Sequence, residues 1–131
     1  MLKSLALILG LIAVPLPAKS LTVHMGETWL FAVHHGAPVA ARKVAPATAP
    51  APGQFKVSLQ PLFGATMTVT NASRFDYAYR ATLVLPTGAT GAAKSCVVPA
   101  NGKTAIEQWT KPLAAVRLDR FKPAPASALC P

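Results

Sequence analysis

At 131 residues the chain has room for one domain, and its 52% hydrophobic content separates it from disordered, highly charged tails. Thirteen Lys and Arg stand against four Asp and Glu, a formal net charge of +9. The bases are spread along the chain without aromatic interleaving, which argues against nucleic-acid recognition and favours a soluble basic surface over weak contact with anionic envelope polymers or lipid headgroups.

The N-terminus has the form of an export signal. Lys3 supplies a basic start, residues 5–16 form an apolar run broken by Pro15 and Pro17, and Ala18-Lys19-Ser20 has the small-x-small pattern of a cleavage site. A membrane span needs about 20 apolar residues, so this run is too short to anchor the chain. No cysteine sits just after the site, which disfavours a lipid anchor. The expected division is a cleavable signal peptide over residues 1–20 and a single domain over residues 21–131, periplasmic or secreted; cleavage after Ala18 is the alternative. Removing Lys3 and Lys19 leaves eleven bases against four acids, a net charge of +7.

Taken in order, residues 21–24 and 28–33 are rich in aromatic and β-branched residues and read as strands. His35-Gly36-Ala37-Pro38 is a turn, and residues 39–44 return as a strand ending in Arg42-Lys43. A two-stranded hairpin is marginal alone in water, so this piece must pack on the domain or on a partner. Residues 45–53, Ala-Pro-Ala-Thr-Ala-Pro-Ala-Pro-Gly, form an extended linker, because proline cannot donate to a ladder. That linker is either a surface connection inside one sandwich or a hinge that lets the hairpin swing.

The strongest pattern lies in residues 54–85. Phe55, Val57 and Leu59 alternate with polar residues; Met67 and Val69 alternate with Thr66, Thr68 and Thr70; Tyr77, Tyr79, Ala81, Leu83 and Leu85 oppose Arg80 and Thr82. Period-two alternation is the mark of antiparallel strands with one buried face. Residues 86–91 read as a flexible turn, residues 95–98 as a short strand, and Asn101-Gly102 as a tight turn. Residues 103–109 form a strand with Ile106 opposite Ala105 and Glu107, and residues 113–121 form the last, with Val116 and Leu118 opposite Arg117 and Asp119. Turn signals at this spacing fit a small all-β antiparallel sandwich of eight or nine strands.

Cys96 and Cys130 fit one disulfide in an oxidising compartment. It would close a loop of about 35 residues, for which a chain-entropy argument gives roughly 3–4 kcal/mol, and would tie down a Pro/Ala-rich tail.

Two constellations carry candidate chemistry. His24, Met25, His34 and His35 combine imidazole and thioether ligands, which suit copper, but their spacing matches no metal motif. Trp29, Leu30, Phe31 and Val33 put apolar residues on both faces of one strand, more than a water-facing edge tolerates. Strand addition is a common binding mode for sheets, so Trp29 and Phe31 are candidate partner contacts, with Arg42 and Lys43 steering towards an acidic surface. The opposing reading buries both faces within the domain. No nucleophile elbow, phosphate loop or metalloprotease motif is present, and the four acids are well separated in sequence, so no catalytic residue, enzyme activity or cofactor is expected. Tyr77 and Tyr79 read as core residues with hydroxyls at its rim, and Asn71-Ala72-Ser73 as turn chemistry rather than a glycan acceptor.

Val69-Thr70-Asn71 followed by an aromatic strand resembles bacterial immunoglobulin-like modules; the likeness covers one hairpin and carries no functional residue across. The expectation is an exported, non-enzymatic binding or assembly module of the cell envelope, loosely immunoglobulin-like. It would bind a protein partner or a second copy through an edge strand. The alternative is a copper- or other metal-binding envelope protein.

Overall fold

The computed structural model describes residues 19–125. The expected signal peptide, apart from its last two residues, and Cys130 lie outside the described residues. Nine strands follow in order: β1 Leu21–His24, β2 Thr28–His34, β3 Ala37–Lys43, β4 Phe55–Gln60, β5 Ala65–Asn71, β6 Tyr77–Val84, β7 Thr90–Ala93, β8 Lys103–Trp109 and β9 Ala115–Pro123. They form two antiparallel sheets, one in the order β1-β9-β6-β7 and the other in the order β3-β2-β4-β5-β8. The described residues contain no helix, so the all-β, two-sheet expectation holds.

The alternation in the sequence becomes the inside and outside of this arrangement. Phe55, Val57, Leu59, Met67 and Val69 from one sheet meet Tyr79, Ala81, Leu83, Val116 and Leu118 from the other in a single core. Burial of these side chains is the main driving force for folding. Its aromatic centre is a cluster of five rings. Phe31 stacks on Phe55 at 5.4 Å, Phe121 lies within 5.4–5.7 Å of Phe31, Phe55 and Tyr79, and Tyr77 meets Phe55 edge-on.

Two expectations change. Residues 95–98 do not form a strand; Val98 makes an isolated bridge to Tyr77. The strand here is β7, which starts inside the stretch read as a flexible turn and pairs Val84 with Thr90. The turn closes early, with the Gly88 amide donating to Leu85 O and the Leu85 amide to Ala89 O. An edge strand needs only backbone bonds, so Thr-Gly-Ala-Ala pairs without an apolar alternation to announce it. Residues 94–98 then cross from the edge of one sheet to the edge of the other.

The N-terminal hairpin is built in rather than hinged. β2 lies between β3 and β4, with Trp29 opposite Val57 and Phe31 opposite Phe55. At the hairpin turn the Phe121 amide donates to Gly36 O at 2.9 Å, tying it to β9. The proline linker joins two strands of one sheet. Leu30 projects from the outer face yet is buried, and its cross-strand neighbour Lys56 donates from Nζ to Pro46 O, placing the start of the linker over that face.

Two bulges shape the strands. Between the pairs Leu30–Arg42 and Ala32–Val39, Phe31 faces both Ala40 and Ala41; between Ala78–Lys122 and Arg80–Asp119, Tyr79 faces both Arg120 and Phe121. The first residue of each bulge is left-handed, Ala40 at φ 52° and Arg120 at φ 53°. Glycine is the usual occupant of that position. The second bulge resets the alternation of β9: Asp119 and Arg120 lie outside while Phe121 enters the core.

Candidate functional site

The expected partner-contact residues separate into inside and outside. Phe31 is fully buried, and Trp29 is half-buried and packs on the core. Arg42 and Lys43 are exposed on β3, the outer strand of the five-stranded sheet. The apolar two-faced character of β2 therefore comes from its central position, with the core on one side and the covered outer face holding Leu30 on the other. The free edge is the next strand, β3, in which Ala37 is buried and Val39–Lys43 are exposed.

The copper set is not assembled. His24 ends β1 and Met25 lies in the turn that leads into β2, whereas His34 and His35 stand at the far end of β2. Six residues of strand at about 3.3 Å each separate the ends by roughly 20 Å. His34 and His35 pack edge-on at 4.0 Å in the hairpin turn. His24 is engaged elsewhere, since its amide donates to Glu27 Oε1 at 2.9 Å and its Nδ1 lies 3.3 Å from the same oxygen. Among the described residues no group of three or more His, Cys, Asp or Glu gathers as a metal site.

Each of the four carboxylates in the chain is committed to a structural bond. Glu27 Oε1 also accepts the Trp29 indole N–H at 3.0 Å, and Lys43 Nζ reaches Glu27 Oε2 at 3.5 Å. The Trp29 bond is the largest cause of a pKa lowered to about 2; burial opposes it, and the His24 amide and ring add to it. Asp76 Oδ1 accepts the Ala100 amide at 2.7 Å. Asp119 takes both Nε and Nη2 of Arg80, at 2.9 and 2.7 Å, in a bidentate pair. Glu107 Oε2 accepts the Tyr79 hydroxyl at 2.8 Å and the Cys96 amide at 3.0 Å.

Burial raises the Glu107 pKa against the pull of those two bonds; burial, and then the facing carboxylate, raise that of Tyr79. This link between β8, β6 and the 94–98 crossover is not visible in sequence, where Tyr79 and Glu107 are 28 residues apart. The placement of Glu107 on the Ala105 face was its one sign.

Asn71 is fully buried. Its Nδ2 donates to Phe75 O and Val98 O and its Oδ1 accepts the Ser73 amide, so the turn reading of Asn71-Ala72-Ser73 holds. Cys96 lies in the crossover, and Cys130, its expected partner, lies outside the described residues.

Surface concavities have mixed polar and apolar linings. One of 160 Å³ lies on the outer face of β4 and β5, lined by Lys56, Ser58, Gln60, Thr68 and Thr70 under Pro46. Another, of 530 Å³, lies beside Arg74, Phe75 and Pro123. A third, of 310 Å³, gathers Lys19, His35, Arg80 and Arg120 at the hairpin corner. No family model matches this chain, and no curated protein or solved structure does so.

Proposed function

We propose that the protein is an exported, non-enzymatic binding or assembly module of the cell envelope, released by a signal peptide over residues 1–20. Its sandwich is immunoglobulin-like in the loose sense, and its tail is stapled by Cys96–Cys130. The observation that carries this reading is β3, an outer strand with five consecutive exposed residues and two adjacent bases, Arg42 and Lys43. An extended segment of a protein partner or a second copy adds to such an edge through backbone bonds, and the bases favour an acidic one. The Ala40 bulge and the charges interrupt the regular edge and oppose indiscriminate pairing, which makes it selective. The structural commitment of all four carboxylates supports a role without acid–base catalysis.

The test is crosslinking in the native envelope followed by identification of the bound chain, with Arg42→Glu/Lys43→Glu as control. The reading holds if the adduct forms through β3 and the double variant, still folded, loses it. It fails if the adduct is absent or indifferent to the reversal. Non-reducing mass analysis tests the staple separately: two free thiols in the exported protein would remove it.

A further inference from the structure

The basic groove at the hairpin corner is made by two backbone irregularities that converge there. On one side His35 (φ 50°) and Gly36 (φ 79°) make a turn with two left-handed residues. On the other, the β9 bulge sets Arg120 left-handed and turns both Asp119 and Arg120 outward. The Phe121 amide bonds to Gly36 O, and a Cβ on Gly36 would meet Phe121 O at 3.1 Å, so turn and bulge are locked together. His35, Arg80, Arg120 and Lys19 line the 310 Å³ space between them, with Asp119 the one acid.

The left-handed conformation disfavours any side chain at Arg120, and glycine would fill that position without strain. Ala40 holds the same conformation in the β3 bulge, so the strain marks the bulge, and what sets Arg120 apart is the groove that it lines. Arg80 is held by Asp119 through Nε and Nη2, so its orientation is fixed at the groove wall. Arg80 and Arg120 against Asp119 leave a net charge of +1, which Lys19 raises to +2 where cleavage after Ala18 keeps it, with His35 counted as neutral. A phosphate monoester carries about −1.5 to −2 near neutral pH, and the Arg120 guanidinium fits its oxygens as a fork, while Arg80, with Nε and Nη2 on Asp119, has Nη1 to offer.

We propose that this groove binds a phosphomonoester group, with Arg120 as its principal contact, Arg80 as a positioned second contact and Lys19 adding charge. The site is independent of the edge-strand reading. Only Lys19 depends on processing, since cleavage after Ala18 keeps it and cleavage before Leu21 removes it.

The experiment is an NMR titration of the exported protein, its N-terminus fixed by mass spectrometry. The probes are inorganic phosphate and vesicles bearing either phosphatidic acid or phosphatidylglycerol at matched charge. The expected result is saturable shifts of the Gly36, Arg80 and Arg120 amides with phosphate. Arg120→Gly should weaken them at least tenfold while its melting temperature stays level or rises, which a merely structural arginine would not produce. Arg120→Lys should recover only part of the binding. Preference for phosphatidic acid over phosphatidylglycerol identifies a lipid headgroup as the source; response to phosphate without vesicle binding identifies a soluble ester. Equal binding to both vesicles, an unchanged titration in Arg120→Gly, or no saturable response overturns the proposal.

Discussion

Tyr79 on β6 and Glu107 on β8 join the two sheets through one hydrogen bond of 2.8 Å, and the same carboxylate oxygen holds the Cys96 amide of the crossover. The bond sits at the margin of the core, where the edge of the five-stranded sheet would otherwise part from β6. Tyr79→Phe removes the donor but keeps the ring stacked on Phe121, and leaves intact the Ser95 hydroxyl bond to Tyr79 O. A hydrogen bond to a charged group is worth about 1.5–3 kcal/mol, so urea denaturation at neutral pH should show a loss in that range. No loss would mean that water replaces the phenol.

Two carboxylates with opposite shifts set the acid side of the stability profile. The Glu107 pKa is raised on folding, so its contribution is fully present below the unfolded value of 4.5 and is lost as pH rises through the folded value. The Glu27 pKa is lowered to about 2, so its contribution is present above 4.5 and is lost as pH falls from 4.5 towards 2. Together they place a local stability maximum near pH 4.5. Glu107→Gln should flatten only the limb above it and Glu27→Gln only the limb below. Chemical denaturation across pH 2–7 checks both, and a Glu107→Gln profile identical to the parent would sink the assignment.

Much of this fold was legible because both sheets need apolar residues on one face. Phe55, Val57 and Leu59, or Val116 and Leu118, advertise that requirement at period two. The edges were less legible. β7 pairs through backbone alone, and the backbone carries no sequence signature in Thr-Gly-Ala-Ala. The two apolar faces of β2 were visible, but not whether partner or domain covers them, since that depends on Lys56 holding Pro46 O over the sheet. The candidate site was less legible still. Arg120 reads as an ordinary outward base until the β9 bulge and the His35-Gly36 turn meet, a contact across 84 residues of chain.

The N-terminal hairpin should divide sharply between core and edge. Phe31 is fully buried and touches Phe55 and Phe121. Loss of such a ring costs about 3–5 kcal/mol, a large part of the 5–15 kcal/mol that holds a domain together. Phe31→Asp adds a buried charge and should prevent folding, seen as loss of the cooperative thermal transition. Arg42→Glu/Lys43→Glu should leave that transition within a few degrees of the parent, since surface changes stay near ±0.5 kcal/mol. A folded Phe31→Asp protein would place the hairpin outside the core and restore it as a detachable arm.

A set of three small substitutions separates backbone strain from crowding. Ala40 holds a left-handed φ of 52° in the β3 bulge, a conformation costing an L-residue roughly 1–2 kcal/mol. Glycine removes that cost but gives back about 0.5–1 kcal/mol in chain entropy, so Ala40→Gly should be neutral to stabilising by about 1 kcal/mol. Gly88, at φ 92° with nothing within 4 Å of an added Cβ, presents the reverse case in open space. Gly88→Ala should cost about 1–2 kcal/mol from conformation alone. Gly64 has a similar φ of 97°, but an added Cβ would lie 2.3 Å from the Trp109 carbonyl oxygen and 2.7 Å from the Thr110 carbonyl carbon. Both contacts are with backbone, so the β4–β5 turn must shift to admit a methyl group. Gly64→Ala should therefore be the most damaging of the three by a clear margin, ordered by urea midpoint at constant m-value. If Gly64→Ala matches Gly88→Ala, the turn yields without resistance, and its packing against the end of β8 contributes little to holding that edge.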